Sequence, residues 1–411
     1  MPMISADKPR WQFVSRFRRG AYGWRSSSTA VTRIREAVAE IRKVARKDSV
    51  LAAEGAVLFL QKVSPALQDV DSSSGALGSA VNGAIEDLVP IVSEAPVERK
   101  LRQAWLERLW QAHADDQVPY IEQLGDFWGE LCVFEDIAAH WVEDTIGILE
   151  MSWSRDSSMQ GYFHGTMACL SALCHSRQYQ RLLDLIDRAP YLSWSYRSWG
   201  VKALMALDRP DDALRYAEAS RGRNVPEECI ARAAEEILLA GGRTEEAYQD
   251  YAFAANQGTT YLATFRAIAR KYPAKPPCEI LRDLIAAHPG REGKWFAAAK
   301  NAGEYDLALE LAHTSPVDPN TLLRAAGEHK ESRPTFAMGV GMATLRWILA
   351  GHGYDVTASH VLAAVSVIDE TAVRLGQQEQ ALQQLRTLLA TFPQEQFVHS
   401  LLARRLDPAL R

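Results

Sequence analysis

His164, Cys169, Cys174 and His175 form the densest group of metal-ligating side chains in the chain. Thiolate and imidazole are zinc ligands, but a structural zinc site spaces each ligand pair by about two to four residues and needs a second pair elsewhere. Cys169 and Cys174 are five positions apart, a rotation of about 140° on a helix, so their thiols diverge. They read as small core hydrophobes. His140 and Glu143 occupy neighbouring positions of a helix, where they could orient a base; a local surface pair is the simpler reading. Asp115-Asp116 and Glu135-Asp136 are adjacent acids placed near helix starts, where carboxylates favour the helix dipole. Gly339-Val-Gly341 and Gly351-His-Gly353 follow no strand and lack the Lys-Ser/Thr of a phosphate loop. No Gly-x-Ser-x-Gly phrase occurs. The expectation is a protein that binds rather than catalyses, with no cofactor and no metal.

The strongest binding signal is at the N-terminus. Arg10, Trp11, Arg16, Phe17, Arg18, Arg19, Tyr22, Trp24 and Arg25 interleave cations with aromatic rings. Arginines neutralise phosphates, and rings stack on unpaired bases, so this arm is a candidate surface for nucleic acid. In one competing reading the rings pack the arm onto the rest of the protein, and the arginines meet its acids or a partner; in another the basic arm lies on an acidic membrane surface. Residues 8 to 47 carry 12 Lys/Arg against two acids, Glu36 and Glu40. That segment is +10 in a chain of net charge −5, which leaves −15 on the remainder. Such asymmetry speaks to partners rather than to fold.

The bulk composition is that of a globular protein, 47% hydrophobic and 24% charged over 411 residues. This length implies several domains or an extended array. No apolar run approaches ~18 residues, so no membrane span is expected, and residues 1–10 have no apolar signal core. Five cysteines at irregular spacing form no disulfide framework, which favours a reducing, cytoplasmic setting.

The elements behind these residues are helices. Val31, Ile34, Val38, Ile41 and Ala45 recur three and four apart, with Ser28 or Thr29 as the cap. Asp48 or Ser49 would cap a second helix, Leu51 to Val63, which is apolar nearly all round and so belongs at the centre of a bundle. Pro65 and the run Asp71 to Gly75 punctuate, and a third helix runs from about Ala76 to Ser93. We expect an arm over 1–28, a small helical domain over 29–94, a helical linker region over 97–155, and helical repeats over 156–411.

The repeats rest on a recurring phrase: a helix end, a tight turn, an acid or Gln, then Ala or Leu opening an amphipathic helix. It ends on Leu182, Ala213, Ala247, Ala308 and Ala381, with a weaker copy at Ile280. The first four steps between successive anchors are 31, 34, 33 and 28, and the last is 73, about two periods, with an insertion from Ser332 to Tyr354. Pro393 follows Ala381 at the distance where such repeats end their second helix. Residues 160–395 therefore resemble the tetratricopeptide superfamily. More loosely, the chain looks like bacterial helical-repeat proteins with the Arg-Gly-Ala-Tyr-Gly-Trp arm and the phrase Gly293-Lys-Trp-Phe-Ala-Ala-Ala-Lys300.

The fold expected is all-α: a basic arm, a small helical bundle, then a tetratricopeptide-like solenoid of helical hairpins. The resemblance implies an interaction scaffold that holds a protein or peptide partner on its repeat surface. The alternative is a nucleic-acid-binding accessory protein that uses the arm. Trp194, Tyr196, Trp199, Tyr251, Tyr261, Trp295 and Phe296 are candidates for a repeat groove or for the core.

Overall fold

The computed structural model describes residues 11–154, 161–223 and 225–406. Among them lie 23 α-helices, two short 3₁₀ helices and no strand. The protein is all-α. The chain divides into two compact units, Met1–Ile237 and Leu238–Arg411.

The first unit opens with a short helix, α1 (Gln12–Arg16), in the arm that the sequence left without periodicity. Then come α2 (Ser27–Ala45), α3 (Ser49–Leu67), α4 (Ala76–Ser93) and α5 (Arg99–Ala114). The cap of α2 is Ser26, not Ser28 or Thr29, and its side chain makes no capping bond. Asp48 caps α3 as expected, accepting from Leu51 N at 2.9 Å. Pro65 does not end α3; the helix continues through it to Leu67, without the one hydrogen bond that the missing proline N–H would have donated. Helix α3 is also the one described helix long and apolar enough to cross a membrane by composition. Here it forms the centre of the bundle, with Ala52, Val57, Phe59, Leu60 and Val63 fully buried among α2, α4 and α5.

Asp115-Asp116 follows the end of α5 rather than opening a helix. Asp116 is buried and accepts from Ser64 Oγ and, at 2.7 Å, from Ile121 N. It thus ties the turn after α5 to α3. Glu135-Asp136 does open a helix, Glu135–Ser152.

From Thr166 the chain runs as helix–turn–helix pairs. All six anchors of the repeat phrase are buried, and each is the fourth residue of its pair's second helix. Five residues before an anchor the backbone turns left-handed: Arg177 (φ 58°), Asp208 (57°), Gly242 (71°), Gly303 (84°) and Gly376 (67°). The residue after each donates back to the carbonyl five positions earlier, at 2.8–3.0 Å. This is the Schellman turn that satisfies the carbonyls at a helix end. The weaker copy before Ile280 uses prolines instead and has no left-handed residue.

The supposed insertion Ser332 to Tyr354 is a correction. It holds the helix Pro334–Leu349, packed between Pro319–His329 and Ala358–Leu375 in the second unit. Its fourth residue, Ala337, is fully buried. The phrase Arg333-Pro-Thr-Phe-Ala337 matches Arg209-Pro-Asp-Asp-Ala213, so this is a further pair, 29 residues after Ala308.

Candidate functional site

The arm residues divide sharply. Arg10 lies outside the described residues. Phe13, Phe17 and Tyr22 are buried, and the first two stand edge-on to Phe59 of α3 at 5.6 and 5.1 Å. A ring so placed offers no face to a base. Burial also pushes the Tyr22 hydroxyl above its ordinary value. Trp11 is half-buried against Gly55 of α3. The two acids of the basic segment bind the arm. Glu36 takes Arg16 at 2.5 Å as well as Arg33 at 2.6 Å. Glu40 accepts from Gln12 N at 2.8 Å and from Phe13 N at 3.3 Å. Of the nine candidates, Arg18, Arg19, Trp24 and Arg25 remain exposed, Trp24 at 67%.

The more coherent basic surface lies beside the arm, between α2 and α4. A groove of about 940 Å³ runs there. Arg35, Arg42, Lys43 and Arg46 line it from α2. Ala76, Ser79, Ala80 and Gly83 line it from α4, and Ile34, Val38, Ala39 and Ala84 add apolar surface. Two acids share it, and both are engaged: Asp87 with Arg42 at 2.5 Å, Glu86 with Gln123 at 3.1 Å. Among the described residues, Arg35, Lys43 and Arg46 have no carboxylate partner. Arg35, Arg42 and Arg46 are seven and four apart, so these three share one face at α2 and its end over about 16 Å, with Lys43 to one side of it. No aromatic side chain lines the groove. The sequence showed these cations only as part of a charge run. The small residues of α4 carried no chemical signal at all.

A second concavity in the same unit, about 370 Å³, is polar. Asp126, Glu122, Gln123, His164, Ser193 and Tyr196 line it. Burial, opposed by Lys202, pushes the Asp126 carboxyl up to about 6. A carboxyl so displaced can exchange a proton near neutral pH. Behind it, His113 is buried with its ring centroid 4.2 Å from that of His164. Burial first, then the neighbouring His164, pushes His113 down to about 4.

The Cys/His group does not converge. Cys169 is buried and Cys174 half-buried, and burial raises both thiols, Cys169 to about 11. His175 instead contacts the Val133 carbonyl at 3.1 Å. Among the described residues no three His, Cys, Asp or Glu side chains gather as a metal site. His140 pairs with Asp144 at 3.5 Å rather than with Glu143, which bonds Arg181 at 2.5 Å. Gly339 and Gly341 lie inside the helix Pro334–Leu349; Gly351 and Gly353 form the turn after it.

Of the candidate groove aromatics, Tyr196, Trp199, Trp295 and Phe296 are buried. Trp194, Tyr251 and Tyr261 are half-buried. Tyr196 shares a hydroxyl hydrogen bond with Tyr191 at 2.8 Å, and Lys202 Nζ stands 3.8 Å over the Trp199 ring.

No protein-family model, no curated protein and no solved structure matches the chain.

Proposed function

We infer that the protein is a non-enzymatic interaction scaffold and that its α2–α4 groove receives an acidic helical segment of a protein partner. The observation that carries this reading is the groove's make-up: four cations along α2 and its end, of which Arg35, Lys43 and Arg46 have no carboxylate partner among the described residues, above a floor of Ala, Ser and Gly. Small side chains let a partner backbone approach closely, and fixed cations select an acidic one. The same observation weighs against single-stranded nucleic acid, because stacking needs rings and the groove lining has none. The shared turn geometry at five anchors supports reading residues 156–411 as a tetratricopeptide-like array. Such an array would carry the scaffold's further contacts.

The test is fluorescence anisotropy with a labelled amphipathic helix bearing Glu on one face and Ala on the other. Single-stranded and duplex oligonucleotides are titrated alongside. The reading expects salt-sensitive peptide binding that is lost in an Arg35→Glu/Lys43→Glu/Arg46→Glu variant. It also expects loss in Gly83→Trp, where a side chain enters space with nothing within 4 Å. Oligonucleotide binding that outcompetes the peptide would overturn it in favour of nucleic acid. Peptide binding untouched by both variants would remove the groove from the account.

A further inference from the structure

The second unit contains a cavity of about 570 Å³, within the range of small-molecule sites. Its walls come from the loop Gln257–Thr260, the start of the helix Tyr261–Lys271, the stretch from Leu284 to Arg291, and Trp295. Trp295 is 1% exposed, and its Nε1–H has no acceptor. An indole N–H can only donate, so its burial without an acceptor is unfavourable; the nitrogen is closed off from solvent, so a ligand acceptor relieves it only where the lining gives way to admit it.

The rest of the lining agrees in chemistry. No Asp or Glu lines the cavity. Arg291 does, is exposed, and has no carboxylate partner among the described residues. Helix Tyr261–Lys271 begins at the cavity, and its first turn adds positive dipole there. His288 contacts the Leu284 carbonyl through Nδ1 at 2.7 Å, which fixes the proton on that nitrogen. Rings form one side: Tyr261 stands edge-on to Trp295 at 4.8 Å, His288 lies 5.4 Å from Trp295, and Phe253 closes the lining.

We propose that this cavity binds a small organic carboxylate with a planar or aromatic body. The Arg291 guanidinium supplies the compensating charge. The Trp295 indole N–H donates to the anion. Phe253, Tyr261 and His288 hold the flat body by burial and ring contact. This site is separate from the protein-binding reading and stands whether or not that reading holds.

The experiment is ligand-observed NMR and calorimetric titration of the full chain with benzoate and indole-3-acetate, with benzamide as the uncharged control. Saturable binding of the carboxylates at millimolar concentration is expected, with benzamide much weaker. Arg291→Gln changes an exposed position and is expected to weaken binding roughly tenfold or more. Trp295→Phe keeps a ring, removes the donor, and is expected to weaken binding too. Thermal melts of both variants show whether the fold is retained. If Trp295→Phe unfolds the unit, Arg291→Gln alone decides. No saturable binding, equal binding of benzamide, or undiminished binding by folded Arg291→Gln would each overturn the proposal.

Discussion

Trp11 rests on Gly55: a Cβ placed at Gly55 would overlap the indole ring. The glycine in the middle of α3 is therefore a seat for the arm. Gly55→Ala adds helix propensity worth up to about 1 kcal/mol but displaces the ring. The expected result is little net change in stability and clear loosening of the arm. Amide hydrogen exchange over residues 11–16 is the measurement. Unchanged protection there would show that Phe13 and Phe17 hold the arm without Trp11.

Asp208 and Arg177 adopt left-handed backbone without being glycine. That conformation costs a residue with a Cβ on the order of 1 kcal/mol. Asp208→Gly and Arg177→Gly should each stabilise by roughly 0.5–1 kcal/mol, and Gly303→Ala should destabilise by a similar amount. Urea unfolding midpoints of the three variants check the signs.

Arg102 is almost fully buried, and its guanidinium donates to the carbonyls of Val92 and Ala95, the latter at 2.9 Å, with Ser93 at 3.2 Å. It closes the C-terminal end of α4, where a cation also suits the helix dipole. Arg102→Met strands these acceptors and should cost about 3 kcal/mol. Arg102→Lys keeps the charge but not the fork, so it should recover less than half of the loss. Thermal and urea denaturation of both variants tests this.

His113 and Asp126 tilt stability with pH in opposite directions. The depressed His113 contributes stability above about pH 6.5 that is lost as pH falls towards 4, because the buried ring must then charge. The raised Asp126 contributes stability below its ordinary 3.8 that is lost as pH rises towards 6, because the buried carboxyl must then ionise. Each effect is worth up to about 3 kcal/mol. His113→Gln should lose less stability than the wild type on acidification from pH 6.5 to about 4. Asp126→Asn should lose less on raising the pH from about 4 to 6. Urea midpoints across that range give the two difference curves, and curves of the same sign would refute the assignment.

Much of the fold was legible because helix periods and turn residues speak locally. The ends of α4 could be read from Gly75 and Ser93, and Asp48 declared the start of α3. The repeat anchors were legible because a close helix crossing demands a small or branched apolar residue at a fixed place. The pair ending on Ala337 was missed because its second helix is apolar on nearly every side, which erases periodicity. The burial of Phe17 and Tyr22 depends on Phe59 and the rest of the bundle, far along the chain. The groove was half visible: its cations stood out, but its floor is alanine and glycine contributed by another helix. The cavity at Trp295 was invisible, because an unpaired indole N–H exists only once the surrounding loops are folded.

The Schellman turns have a consequence for how this chain can change length. Each places its buried anchor five positions after its left-handed residue, whereas the spacing from anchor to anchor, Ala337 included, drifts from 28 to 44. One residue inserted inside a turn would rotate the following helix by about 100° and swing its anchor out of the core. The same residue inserted between one pair and the next disturbs no such phase. Insertions and deletions are therefore tolerated between pairs and excluded within them, which makes the whole pair the natural quantum of gain or loss.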